Sequence, residues 1–300
     1  MKTSGEQQQA GEADERFESG AREYAEYLRT AEGRLRLDIA WENFRAALAG
    51  ANHPAAGGPA GAAHGAANKD AAANVQADEP HDARRLALDL GCGTGALSVR
   101  LARAGWSVCA ADGSAAMIEI ARESARREGG EKRIDFFKLD AARAADEFGP
   151  RKFDAVVCHN VLEYVEDPRA VARAIGVVAR PGAIVSLLAR NRAGEVLRDA
   201  VKRHDLDSAE RALTAESVRE SLYGGPARLF DAEALGALAT EAKLETVAVR
   251  GVRVVADYLP PSLSEAGELY ARLLAFELRL GARPDFASVA RYVQLIARAG

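Results

Sequence analysis

The sequence lacks the features of several protein classes. It has three scattered cysteines, Cys92, Cys109 and Cys158, and none stands at a metal-ligand spacing. We therefore expect no metal centre and reduced thiols, as is typical of a cytoplasmic protein. No apolar run reaches the 18 residues that a membrane span requires. The polar start of the chain lacks the apolar stretch of a secretory signal.

The chain also lacks an excess of positive charge. It has 40 Lys and Arg against 44 Asp and Glu, for a formal net charge of −4. This balance argues against a strongly basic nucleic-acid surface over the whole protein, although it leaves a local patch open. The 48% of apolar residues and 28% of charged residues are typical of a globular chain with a core.

Two regions precede the main domain in this interpretation. Leu37, Trp41, Phe44 and Leu48 recur at helical spacing, so residues 1–49 are predicted to form an N-terminal helical cap. Residues 49–80 contain thirteen alanines, five glycines and a single branched aliphatic residue. Such a composition buries too little apolar surface to offset the entropy of ordering. We predict a flexible linker at 50–82.

Residues 83–300 alternate between apolar runs and helical patterns, which predicts a mostly parallel sheet with helices on both faces. An insertion at about 191–230, helical in tendency, is placed to lie over the carboxyl ends of the strands, where ligands bind in open sheets. The strands are expected at 86–90, 107–112, 134–140, 153–160 and 183–189, with β-rich sequence at 244–259 and a last strand at 291–299.

The most informative motif joins the first strand to the first helix of this domain. Asp89 precedes a turn in which Gly91, Gly93 and Gly95 alternate with other residues. Glycine is needed where the chain turns tightly and a ligand approaches the backbone. The alternative interpretation of this motif is the dinucleotide-binding fingerprint GxGxxG, but the third glycine here comes one residue early. A carboxylate at position 89 also suits a cationic amine better than a pyrophosphate.

Two further acids end strands of the same sheet. Asp112 ends the second predicted strand, where a carboxylate can accept both hydrogen bonds of a ribose diol. Asp140 ends the third and can accept from an exocyclic adenine amine. Capping of the following helix is the alternative role for both side chains.

The motifs together resemble the class I S-adenosylmethionine-dependent methyltransferases. The resemblance rests on LDLGCGTG (88–95), AADGSAAMIEIA (110–121), KLDAA (138–142), FDAVVCHNVLEYVEDP (153–168) and ARPGAIVSL (179–187), in that order. It implies an α/β fold with a seven-stranded, mostly parallel, doubly wound Rossmann-like sheet whose last strand is antiparallel. It also implies S-adenosyl-L-methionine as the cofactor.

A closer resemblance extends into both flanks. Residues 30–41, 159–169, 251–259 and 290–298 are similar to the bacterial tRNA 5-carboxymethoxyuridine methyltransferases. Those enzymes methylate the carboxylate of a modified wobble uridine. Residues matched to cofactor contacts of that family are Arg36 at the methionine carboxylate, Gly91 and Cys92 at the methionine moiety, Asp112 at the ribose, Asp140 and Ala141 at the adenine, and His159.

The chemistry expected from this resemblance needs few catalytic groups. A carboxylate acceptor is already a nucleophile at pH 7, so alignment and exclusion of water suffice. His159 is a candidate general base only if the acceptor is a phenol or an amine. Cations and an aromatic ring are candidates for binding a carboxylate, phosphates or a base. These substrate-side candidates are Arg190, Arg192, Arg250, Arg253 and Tyr164.

Alternatives for the acceptor stay open. The insertion carries seven Lys and Arg against seven Asp and Glu, so it lacks the basic run of the tRNA-modifying family. This departure favours a small-molecule methyltransferase as the second hypothesis. A non-enzymatic regulator that binds S-adenosylmethionine is the third, because an intact cofactor motif does not by itself require turnover.

Overall fold

The computed structural model describes residues 4–51, 85–220, 224–260, 262 and 267–300. Apart from its first two residues, the predicted linker 50–82 lies outside these described residues. The strands are β1 (Leu86–Leu90), β2 (Ser107–Asp112), β3 (Ile134–Lys138), β4 (Phe153–His159), β5 (Ala179–Arg190), β6 (Ser217–Glu220), β7 (Gly225–Arg228), β8 (Leu244–Val252) and β9 (Tyr292–Ala299).

The main sheet has seven strands in the order β3-β2-β1-β4-β5-β9-β8. The first five are parallel, and β9 runs antiparallel to both of its neighbours. This is the predicted doubly wound sheet with one reversed strand, and the prediction is confirmed. The strand order reverses direction beside β1, so a crevice forms at the carboxyl ends of β1 and β4.

Helices cover both faces of the sheet. They are α1 (Ser4–Arg29), α2 (Ala31–Ala51), α3 (Ala96–Arg103), α4 (Ala115–Glu128), α5 (Ala144–Phe148), α6 (Pro168–Val178), α7 (Arg192–Leu197), α8 (Leu206–Ala212), α9 (Ala232–Glu241), α10 (Gly267–Gly281) and α11 (Pro284–Ala287). Alternate strand residues serve opposite faces. Val156 packs with α6 and α9, whereas Val157 packs with α2, α3 and α4.

The two N-terminal helices pack against this sheet domain. Leu35, Ile39 and Phe44 of α2 are fully buried. The helices break at Thr30, whose Oγ1 accepts a hydrogen bond from the Gly33 amide at 3.1 Å. A Cβ at position 33 would lie 2.2 Å from the Tyr27 carbonyl oxygen, so glycine allows the two helices to meet at this angle.

Two segments differ from the expectation. The insertion contains α7, α8 and an unpredicted hairpin, β6–β7, whose four-residue strands are too short to give a clear alternation. The β-rich run 244–259 stops being a strand at Val252. Arg253 has a φ of +61°. The buried Glu277 carboxylate on α10 accepts the amides of Val254 and Ala256 at 2.6 and 2.7 Å, which turns the chain away from the sheet.

Candidate cofactor and acceptor site

A cavity of about 1740 Å³ opens at the carboxyl ends of the parallel strands. Most of the predicted site residues line it: Arg36, Asp89, Gly91, Cys92, Gly93, Asp112, Asp140, Ala141, His159, Tyr164, Arg190 and Arg253. Its lining has two parts with different charged groups. Acids gather where β1, β2 and β3 end, which we call the cofactor half. Arginines and their acidic partners gather at the end of β5 and the start of β9, which we call the acceptor half.

The glycine turn after β1 forms the floor of the cofactor half. Gly91 and Gly95 have φ values of +76° and +75°, in the left-handed region that favours glycine. A Cβ at Gly91 would lie 2.1 Å from Val161 Cγ2, and one at Gly95 would lie 2.9 Å from Ala121 Cβ. Gly91 therefore lets the loop after β4 approach the cavity. Gly95 does not line the cavity and serves helix packing instead.

Asp112 connects the turns after β1 and β2. Its Oδ2 accepts the Gly93 amide at 2.8 Å, and its Oδ1 accepts the Ser114 amide at 2.9 Å. An ionised carboxylate has about four lone-pair sites. Asp112 can therefore hold the glycine turn and accept from a ligand at the same time.

Asp89 lies beneath this turn and is almost fully buried. Burial is the largest cause that raises the pKa of its carboxyl, a hydrogen bond from Ser98 Oγ at 2.5 Å opposes the rise, and the nearby Asp112 charge adds to it. The net result is a pKa of about 6. A cation placed against Asp89 would relieve this cost of ionisation.

Asp140 is an exposed acid at the cavity rim beside Ala141. Its Oδ1 accepts the Ala142 amide at 3.0 Å and so caps the short helical turn 141–143. The capping alternative for Asp140 is therefore present in the structure. A role toward adenine stays a prediction.

The helix α1 crosses the cofactor half. Glu18 accepts the amides of Ala115 and Ala116 at 2.6 and 3.0 Å, which ties α1 to the start of α4. The Phe17 ring meets the Tyr164 ring edge to face, with centroids 5.3 Å apart. Tyr164 is thus half-covered by α1 at the cavity wall.

Arg36 reaches the cavity from α2 and is buried. Its Nη1 donates to Asn160 Oδ1 at 3.0 Å and its Nη2 to Tyr24 Oη at 2.7 Å. The guanidinium also faces the rings of Tyr27 and Tyr292 at 5.3 and 5.5 Å. Within the described residues it has no carboxylate partner. This buried positive charge is therefore suited to an anion that enters the cavity.

His159 ends β4 between the two halves. Its Nε2 lies 2.8 Å from Ser186 Oγ. Burial and, to a smaller extent, the charge of Arg36 together lower the pKa of the ring to about 3. The ring is therefore neutral at pH 7, and so low a pKa makes it a poor general base near neutrality.

The acceptor half is built around an arginine cluster, which consists of Arg190, Arg253 and Arg291. All three guanidinium groups are buried. Arg190 pairs with Glu195 at 2.7 Å and with Glu220 at 3.4 Å. Arg291 shares Glu195 at 2.7 Å. Burial opposes ionisation of Glu195, but the two arginines outweigh it and lower its pKa to about 2.

Arg253 completes the cluster from the turn after β8. It pairs with buried Asp257 and, at 3.2 Å, with Glu32 of α2. The Nε atoms of Arg190 and Arg253 are buried and have no hydrogen-bond partner among the described residues. Buried donors without partners are rare because each costs free energy. These two N–H groups are donors that the described part of the chain leaves unused.

Tyr292 lies at the centre of these charges. Burial would raise the pKa of its hydroxyl, but the positive charges of Arg36, Arg291, Arg190 and Arg253 outweigh burial and lower it to about 8. The Arg36 and Arg291 guanidinium carbons each lie 5.5 Å from the ring centroid. The lowered pKa shows that the acceptor half favours negative charge.

Sequence reasoning missed several of these residues. Tyr292 and Arg291 lie in the segment 290–298, and their position at the start of a central strand was the available signal. Tyr24 and Asn160 also line the cavity and hydrogen-bond to Arg36, and neither belongs to a motif that marks it as a site residue.

Two predicted substrate arginines are not brought to the site. Arg192 donates to the Ala215 carbonyl inside the insertion. Arg250 lies on the edge strand β8, where its Nη1 donates to the Val249 carbonyl at 3.1 Å. Neither residue lines the cavity, because the chain around each carries its side chain away from it.

Within the described ranges, no helix combines the length and apolarity needed to cross a membrane. The same ranges hold no group of three or more His, Cys, Asp or Glu side chains arranged to bind a metal ion.

Comparisons with known proteins find similarity to methyltransferases. Residues 88–185 match a family model described as a methyltransferase domain. The chain is 28% identical over 211 residues to the tRNA 5-carboxymethoxyuridine methyltransferase of Escherichia coli K12, covering 70% of this chain and 78% of that protein.

Two further similar proteins differ in how much of this chain they cover. The ubiquinone biosynthesis O-methyltransferase of Pseudomonas paraeruginosa PA7 is 37% identical over 110 residues, which cover 37% of this chain and 46% of that protein. A crystal structure described as SAM-dependent methyltransferases, from Methanosarcina mazei, aligns with a TM-score of 0.49 at 22% identity. It covers 72% of this chain and 92% of that one.

Proposed function

This chain is a class I S-adenosylmethionine-dependent methyltransferase, and from that premise we propose that it methylates the carboxylate of a modified uridine in tRNA. The observation that carries the acceptor class is the arginine cluster around Tyr292. The cluster combines buried cations with two unpartnered N–H donors. Such a surface binds an anion with little further cost in free energy of reorganisation, because the guanidinium groups are already held in place by acidic partners.

The cofactor half fits S-adenosylmethionine in several independent ways. Asp112 suits the ribose diol, and Asp140 and Ala141 suit contact with the adenine. Asp89 suits the ammonium group of the methionine moiety, while the glycine turn at Gly91–Gly93 lets the backbone approach it. Arg36 suits the methionine carboxylate, since its buried guanidinium has only neutral hydrogen-bond partners.

S-adenosylmethionine supplies an activated methyl group, and its transfer to a carboxylate oxygen breaks the sulfur–carbon bond and moves no proton. Residues of this chain then need only position the acceptor and exclude water. The neutral His159 agrees with that requirement, since the step needs no base. Positioning of this kind contributes about 7–11 kcal/mol to lowering a barrier. The arginine cluster would hold one carboxylate oxygen while the other faces the methyl group.

The tRNA assignment is supported by the relative from Escherichia coli, because the similarity extends well beyond the methyltransferase domain match. A tRNA acceptor implies a cytoplasmic enzyme, and the three buried cysteines that form no disulfide support this part of the proposal. The relatives named for ubiquinone biosynthesis align over only about a third of this chain.

A small-molecule acceptor is the second candidate. The insertion over the cavity carries as many acids as bases, seven of each, which gives little general attraction for a polyanion. A small carboxylic acid would use the same arginine cluster without needing an extended basic surface.

The decisive experiment measures transfer of a radiolabelled methyl group. The acceptors are tRNA that carries 5-carboxymethoxyuridine, tRNA that lacks it, and a panel of small carboxylic acids and phenols. We expect label in the first tRNA only, in a base-labile ester. Label in small acids alone supports the second candidate. Label in both tRNAs equally contradicts the proposed nucleoside.

A further inference from the structure

A chain of buried hydrogen bonds leads from α2 to the ring of His159. Its central member is Gln294 on β9, which is fully buried. Gln294 Nε2 donates to the Ala40 carbonyl at 3.0 Å and to Ser186 Oγ at 2.9 Å, while its Oε1 accepts from Asn43 Nδ2 at 2.9 Å. Ser186 Oγ lies in turn 2.8 Å from His159 Nε2.

The direction of each hydrogen bond in this chain can be deduced from the Ala40 carbonyl. A backbone carbonyl only accepts, so the Gln294 atom facing Ala40 is the amide nitrogen. That same nitrogen donates to Ser186 Oγ. Among the described residues His159 Nε2 is the only other hydrogen-bond partner of this hydroxyl, so its hydrogen is directed at Nε2. In a neutral imidazole one nitrogen accepts and the other carries the hydrogen. Nε2 is the accepting nitrogen here, so Nδ1 carries the hydrogen.

We infer that Gln294 and Ser186 fix His159 as the Nδ1–H tautomer, so that the ring offers the cavity a hydrogen-bond donor and no base. Gln294 and Ser186 are then positioning residues that act through His159. Within the described residues, the bond to Ser186 is the only hydrogen bond of the ring. The neighbouring charge of Arg36 disfavours a second proton on the ring, which keeps the neutral tautomer in place.

The tautomer bears on which acceptors the enzyme can use, and this consequence rests on the proposed function. A carboxylate arrives as an anion and can accept the Nδ1–H. A phenol or an amine must lose a proton, and a ring whose free nitrogen already carries hydrogen cannot take it. The same site would therefore favour acceptors that are already ionised.

The first test is ¹⁵N NMR of the full chain labelled with [¹⁵N]histidine at pH 7, without cofactor or acceptor. The chain has five histidines, and loss of one signal set in His159→Asn identifies His159. We expect a pyrrole-type shift at Nδ1 and a pyridine-type shift at Nε2. The reverse assignment, an averaged pair or a doubly protonated ring overturns the inference. Because no acceptor is present, this result is independent of the proposed function.

Variants test the origin of the tautomer. Ser186→Ala removes the hydroxyl that donates to Nε2, so the Nε2–H form should appear. Asn43→Ala is the matched control, because it removes a bond to the same glutamine but leaves the Ala40 anchor. We expect the control to keep the Nδ1–H form. An unchanged tautomer in Ser186→Ala, or the same switch in both variants, contradicts the relay.

Kinetics provide a second readout. Ser186→Ala should lower kcat for the carboxylate acceptor by about threefold to tenfold, the effect of one ordinary hydrogen bond. It should leave the acceptor KM nearly unchanged, because the arginine cluster is intact. A fall in kcat together with a retained Nδ1–H signal would show that Ser186 acts in another way and would overturn its role as the donor to His159.

Discussion

The two halves of the cavity hold charge in different ways. In the cofactor half, Asp112 and Asp140 accept backbone amides of their own turns, and Asp112 also accepts one from the adjacent glycine turn. In the acceptor half, Arg190, Arg253 and Arg291 pair with acids from other elements. The cofactor half is therefore local and readable from short motifs. The acceptor half exists only when distant segments meet, so its charges contribute to the fold as well as to binding.

The largest expected effect tests this difference at Arg253. Replacing Arg253 by Met removes the nearer partner of buried Asp257 and leaves it only Arg291 at 3.7 Å. The free energy of unfolding should therefore fall by about 3 kcal/mol, the lower end of the range for breaking a buried ion pair. Denaturant unfolding followed by circular dichroism measures it. Arg192→Met is the matched control, since Arg192 is only half-buried and pairs with one carbonyl. Its loss should stay below about 1.5 kcal/mol. Equal losses would contradict the division between the halves.

A variant in the cofactor half should change binding more than folding. Asp112→Ala removes a carboxylate that can accept two charge-assisted bonds, so affinity for S-adenosylmethionine should fall by about 2–4 kcal/mol. Isothermal titration calorimetry measures it. Asp140→Ala, at an exposed rim position, should cause a smaller loss. Unchanged affinity in Asp112→Ala would refute the ribose assignment.

The pH dependence of cofactor binding tests Asp89. With a pKa of about 6 in the free chain, Asp89 is mostly ionised at pH 7 and about one-tenth ionised at pH 5. The cofactor ammonium favours the ionised form, so binding releases a proton and affinity should drop about tenfold from pH 7 to pH 5. Asp89→Asn should bind more weakly and lose most of this slope. A slope that persists in the variant would assign the titration to another group.

The smallest effect concerns Tyr292. One tyrosine should ionise near pH 8, visible as absorbance at 295 nm, and Tyr292→Phe should remove this step. A bound carboxylate adds negative charge, so it should raise the midpoint, by less than about one pH unit. A midpoint that falls on adding the carboxylate would place that anion away from the arginine cluster.

The accuracy of the sequence predictions follows the same division. Strands β1 and β2 have the predicted bounds, because each is a short apolar run between clear turn signals. The β-rich run 244–259 suggested too long a strand, because its apolar character continues past Val252, where β8 ends. Only the Glu277 carboxylate of α10, which captures the following amides, ends the strand there.

The candidate site shows a similar limit. The Asp89 to Gly95 turn and Asp112 could be found from the sequence, because the residue types and spacing of one strand-turn-helix unit carry the signal. Arg192 and Arg250 were predicted to be substrate-binding residues on the same grounds as Arg190 and Arg253. A sequence does not show in which direction a side chain points. Tyr292 was missed because its charged neighbours come from β5, β8 and α2 as well as its own strand.

The sequence by itself determined the sheet of alternating strands and helices and the cofactor turn, since apolar periodicity and glycine act through local conformation. The tertiary structure decided the acceptor half. Folding brings four arginines around Tyr292, and their positive charges lower its pKa against the opposing effect of burial. Folding also joins Ala40, Gln294 and Ser186 into the chain that reaches His159. Charges and hydrogen bonds gain this influence because water is excluded, and the packing of separate segments is what excludes it.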